Sequence, residues 1–213
     1  MIFAPMVCDL KSELSNTLGN WICSAIVASS ESVKAAFTKE ENIFEQEGVK
    51  YINTFLNLEE PALFEIQMYK DFSNLLGLSR EENHRAAQAG FEALKNYKEW
   101  RKSRAKEVLE QIEKEGKIGI VLLGRPYHND PGINHGIFTK FQKLGYPIFT
   151  QDTLPTDEET LNRLFGEEVE AGIISDPLDI SDVWKNTLST NVNMKLWAAK
   201  FVARHPNLVA VEL

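Results

Sequence analysis

The stretch Ile118–Ile137 reads IGIVLLGRPYHNDPGINHGI, and its reading decides the fold of the chain. Its first six residues are an unbroken apolar run, as expected of a strand buried on both faces of a parallel sheet. The sequence then turns polar at Gly124, while Pro126 and Pro131 keep the next residues out of a helix. A helix is expected from about Ile133 to Leu144, closed by Gly145, with a second strand at Tyr146–Thr150. Strand, loop, helix and strand in that order make a parallel α/β unit.

Downstream, Thr156 and Glu159 have the spacing of a capping box, opening a helix to about Ala171. A further helix at about Asn191–His205 leads to an apolar strand at Leu208–Leu213. The sequence stops at the carboxyl edge of that strand, where open α/β sheets carry ligand-binding loops, so it reads as a piece of a longer protein. Upstream, Ser79 and Glu82 form another capping box. Apolar residues from Ala87 through Phe91, Leu94, Tyr97, Ala105 and Val108 to Ile112 predict a helix running to Glu115. At 1.5 Å per residue it is roughly 55 Å long, which suits a connector of two lobes.

Before that helix come a strand at Ile22–Val27, a helix at Ser30–Gln46 and a strand at Val49–Phe55. A helix at Glu59–Leu76 follows, with Pro61 in its first turn and Gly77 at its end. The expected architecture is α/β: two Rossmann-like lobes with mostly parallel sheets, bridged by the long helix. Residues 1–78 form the first lobe; residues 79–213 supply the connecting helix and the second.

Composition excludes several classes. With 213 residues, 43% hydrophobic and 25% charged, the chain has material for real cores. A formal charge of −8 argues against nucleic acid or an anionic membrane as partner. No apolar run approaches the roughly 18–20 residues of a membrane helix, and the first residues are not a secretory signal. Two cysteines, Cys8 and Cys23, make no disulfide framework, so a reducing, cytoplasmic setting is expected.

Chemistry concentrates after the buried strand. Gly124, Arg125, Tyr127, Asn129, Asp130, Asn134 and Gly136 are candidate ligand-binding residues, and His128 and His135 candidate catalytic ones. Arginine suits an anion, the following helix N-terminus adds N–H donors, and imidazoles as a class move protons near neutrality. A plainer reading pairs Arg125 with Asp130, makes Asn134 a cap and satisfies both histidines locally. A metal site on His128 and His135 is disfavoured because Pro131 separates them. HExxH, GxxxxGK[ST], GxGxxG and GxSxG are all absent from the sequence. Cys8 and Cys23 fit a small apolar core role, although Cys23, near a strand end, is also placed to reach a cleft. Trp184, Trp197 and Phe201 read as core or interface.

Three segments, SESVKAAFTKEENIFEQEGVKYI (residues 30–52), LLGRPYHNDPGINHGI (122–137) and LWAAKFVARHPNL (196–208), together resemble one family. It is that of the CoA-substrate-specific enzyme activases, or acyl-CoA dehydratase activase-related proteins. In such proteins ATPase activator modules are joined to regions related to 2-hydroxyacyl-CoA dehydratase subunits, and this chain is similar to the latter. The resemblance implies ATP-driven, low-potential electron transfer through a [4Fe–4S] cluster to an acyl-CoA-type substrate. It implies Cys23 as a metal ligand, though Ser24 follows where the family pattern has proline. With two cysteines the chain alone is expected neither to hold the cluster nor to be active. Its parent would be a dehydratase- or reductase-type enzyme or its activator, partnered by ATPase modules and an acyl-CoA-type or other anionic small molecule. The alternative is a non-catalytic α/β module that binds a small anion or docks an activator subunit.

Overall fold

In the computed structural model, which describes residues 1–213, the chain divides into two compact units. Met1–Ser12 and Asn20–Leu94 form the first; Glu13–Gly19 and Lys95–Leu213 form the second. The fold is α/β, with every strand pair parallel, although the sheets are small.

In the first unit, β1 (Ile2–Phe3) pairs with β3 (Tyr51–Ile52), and β2 (Met6–Asp9) with β4 (Phe55–Asn57). Hydrogen bonds carry on across the gap, Ala4 N to Ile52 O and Met6 N to Thr54 O, each at 2.8 Å. Residues 2, 4 and 6 donate to residues 50, 52 and 54 in turn, so the two short pairs follow one line of hydrogen bonds. The strand expected over Val49–Phe55 is therefore two short pieces, and β1 and β2 were not foreseen.

The expected strand at Ile22–Val27 is a correction. Only an isolated antiparallel bridge, Asp9 with Trp21, precedes it, and Ser24–Val27 is a short helix, α1. A short apolar run does not separate strand from helix by periodicity, and the small residues that follow favour helix. Ala28 keeps helical dihedrals, leading straight into α2 (Ser29–Thr38). The single helix expected to Gln46 breaks there. Asn42 accepts the Glu45 N–H and starts α3 (Ile43–Gln46), because a cap residue ends one helix and opens the next.

α4 (Pro61–Leu76) has proline in its first turn and ends on Gly77 at φ 66°, as the sequence requires. α5 (Arg80–Glu115) opens on the expected capping box. Ser79 Oγ accepts the Glu82 N–H at 3.2 Å, and Glu82 accepts the Ser79 N–H at 2.9 Å. Residues to Leu94 belong to the first unit and those from Lys95 to the second.

The second unit is built on β5 (Gly119–Leu123), buried at every residue and flanked by β6 (Ile148–Thr150) and β7 (Leu208–Glu212). Between β5 and β6 lies α6 (Ile137–Lys143); between β6 and β7 lie α7 (Glu158–Glu170) and α8 (Thr190–Arg204). The helix thus starts about a turn later than the expected Ile133. Asp157, rather than Thr156, caps α7 by accepting the Thr160 N–H. The core gathers Val121, Phe165, Ile180, Trp197, Ala198 and Phe201, while Trp184 is exposed.

Glu13–Gly19 contributes Leu14 to this core and hydrogen-bonds a distant loop. Ser15 Oγ donates to Asp176 Oδ2 at 2.7 Å, and Asn16 Nδ2 to Ser175 Oγ at 2.8 Å. Asp179 anchors that loop, accepting the N–H groups of Ser175 and Ser181. Burial opposes its charge, but these donors hold its carboxyl well below the usual range.

Candidate functional site

The strand order β6-β5-β7 makes β5 the point where the chain switches direction across the sheet. In open α/β sheets the crevice for a ligand opens at the carboxyl end of such a strand. The residues there are Gly124–Gly136.

Gly124 is required by its surroundings. A Cβ there would stand 2.6 Å from His128 Nδ1. Its N–H donates to Gln151 Oε1 at 3.3 Å, and Gln151 Nε2 donates onward to Asn191 O at 3.4 Å. One buried glutamine thereby joins the end of β5, the end of β6 and the first turn of α8. Sequence reading passed over Gln151; its place directly after the β6 strand was the available signal.

Pro126–Asn129 forms a 3-10 turn. His128 Nδ1 accepts the Arg125 N–H at 3.2 Å, so in the neutral ring the proton sits on Nε2. The Tyr127 ring meets the imidazole edge-on at 4.6 Å. Asp130 Oδ1 accepts the N–H groups of Gly132 (2.8 Å) and Ile133 (3.1 Å), closing an Asx turn. Asn134, buried, donates to His128 O at 2.9 Å and accepts the Gly136 N–H at 2.8 Å. His135 (φ 54°) and Gly136 (φ 69°) are both left-handed, which turns the chain into α6.

These bonds sort the sequence candidates. Gly124, His128, Asp130, Asn134 and Gly136 hold the loop in shape. The side chains of Arg125, Tyr127, Asn129 and His135 make no hydrogen bond or ion pair within the chain. Arg125 and Asp130 do not pair, and Gly136 rather than Asn134 is the N-cap of α6, so the plainer reading fails for both; Asn134 instead ties the loop together. Nearby, Arg101 is already committed to Asp152 at 2.8 Å. An uncommitted guanidinium at the switch point is the group able to take an anion. The start of α6 adds little, since the N–H groups of Gly136 and Ile137 already bond within the loop.

Cys23 belongs to the first unit, where it precedes α1 as its N-cap residue. Cys8 lies close by along the backbone, its carbonyl accepting the Ile22 N–H at 2.8 Å. Both thiols are free of disulfide. Burial and the neighbouring Asp9 push the Cys8 thiol up, which disfavours its thiolate. No three His, Cys, Asp or Glu side chains are grouped so as to hold a metal ion. The residues present therefore do not fit a complete iron–sulfur cluster, which needs four ligands. No helix is long and apolar enough to cross a membrane.

Residues 1–154 match a family model described as CoA enzyme activase uncharacterised domain. No curated protein matches the chain, and no solved structure does.

Proposed function

Because the chain belongs to the CoA enzyme activase uncharacterised-domain family, we propose that it is the anion-holding α/β module of an acyl-CoA-directed enzyme system. The observation that carries this reading is the uncommitted Arg125 guanidinium, set on a pinned loop at the switch point of a parallel sheet. Arg125 takes a phosphate or carboxylate of the ligand. His128, its Nδ1 occupied, offers the Nε2 proton to a bound acyl group, and the exposed His135 accepts one. In such a system, ATPase activator modules and an iron–sulfur centre would supply low-potential electrons. Cys23 would be at most one ligand of that centre. A second role, docking an activator, draws on α5, where Tyr97 and Trp100 stack at 6.1 Å and both stand exposed.

Titration calorimetry of the 213-residue chain with CoA tests the first role. Arg125→Ala should weaken binding about 10- to 100-fold, the worth of a charge-assisted contact, with the melting temperature unchanged. Absence of binding by the unaltered chain, or an affinity that Arg125→Ala leaves intact, would overturn it.

A further inference from the structure

Between α4 and the first half of α5 lies a cavity of about 540 Å³, confined to the first unit and distant in sequence from the loop Gly124–Gly136. Phe64, Met68 and Phe72 wall it from α4; Ala87, Gly90 and Phe91 wall it from α5. Its size is that of small-molecule sites, which span about 300–1,000 Å³ and pair apolar walls with a few placed polar groups. Here that group is Asn83, 6% exposed and lining the cavity. Its Nδ2 donates to Glu65 O at 3.0 Å, while its Oδ1 receives no hydrogen bond within the chain. The oxygen keeps access to solvent through the cavity. A ligand that displaces that water holds the hydrogen bond only if it brings a donor of its own.

Gly90 points the same way independently. Glycine is unfavourable inside a helix, and packing does not demand it here, since a Cβ would meet nothing within 4 Å. The bare backbone leaves room along the floor of the cavity. We propose that this cavity binds a small amphiphile: an aliphatic chain lying along Gly90 that gives one N–H or O–H hydrogen to Asn83 Oδ1. Methionine and phenylalanine walls suit a flexible chain, because thioether and ring edges adapt to its shape.

The test is calorimetric, on the whole chain, with 1-decanol as donor-bearing probe and decyl methyl ether as its donorless counterpart. Decanol should bind, and the ether about three- to tenfold more weakly, as expected for one lost hydrogen bond. Gly90→Leu, which fills the floor, should reduce decanol binding at least about tenfold without lowering the melting temperature. Equal affinity for both probes, an affinity untouched by Gly90→Leu, or no binding of either probe would overturn the proposal. So would self-association in sedimentation that Gly90→Leu abolishes, since that would assign the cavity to a second copy of the chain.

Discussion

The second unit seals a core around Trp197 and Phe201, whereas the first buries only Met6, Ile52, Leu56, Phe72 and Ala87 among its apolar residues. Both are rich in apolar side chains, so composition does not explain the contrast. Sheet width does. β5 has a strand on each side and helices in the connections, so its side chains are enclosed on both faces. The first unit has one interrupted strand pair, which is too narrow to cover the helices around it. Ile66 on α4 and Phe55 on β4 are left 65% and 60% exposed. Apolar residues in a small sheet become surface, and surface is where ligands and partners act.

The largest expected effect tests the sealed core. Phe201→Ala should cost about 3–5 kcal/mol in urea unfolding, as for other large-to-small core changes, while Ile66→Ala should stay within about 0.5 kcal/mol. Similar losses at both sites would break the comparison.

A middle-sized effect concerns His205, which is buried at the end of α8. Its Nε2 meets Glu113 Oε1 at 2.6 Å, and its Nδ1 accepts the Asn207 N–H at 3.2 Å. Burial, more than Glu113 offsets, lowers its pKa from the ordinary histidine value. As pH falls through about 6.5 the unfolded chain takes up a proton that the folded chain resists. Stability should therefore drop on acidification. His205→Phe should cost about 1–3 kcal/mol at pH 7, for the unpaired partners left behind, and the gap to the unaltered chain should narrow toward pH 5. A gap that widens on acidification would reverse the assignment.

The smallest effect has the opposite sign and belongs to the open unit. Gly90→Ala should stabilise by about 0.5–1 kcal/mol, because the added methyl enters empty space and helix propensity rises. A loss measured by thermal melting would show that the backbone at Gly90 is already in contact.

The same contrast governs what could be read from sequence. The apolar run before Gly124, the Ser79 capping box and Gly77 announced the second sheet and the two long helices, because each signal is local. The ladder of β1 to β4 was hidden, since strands of two to four residues carry too little alternation to detect. Ile22–Val27 misled because its apolar residues serve either a strand or a helix. In the loop, the crowding of polar residues was legible, but Asn134 bonds within the loop and does not cap α6. What sequence withheld was which groups spend their hydrogen bonds inside the chain. That division, with Arg125 left over and Asp130 consumed, depends on distances fixed only by the fold.

The segment Glu13–Gly19 has a consequence for synthesis. Ser15 and its partner Asp176 are separated by 161 positions, yet both belong to the second unit. A ribosome delivers the early segment long before the loop that receives it. The second unit is therefore completed only after Ser175 and Asp176 have been synthesised, and a shortened gene starting at Lys95 would yield a unit missing Leu14 and the Asn16 tether.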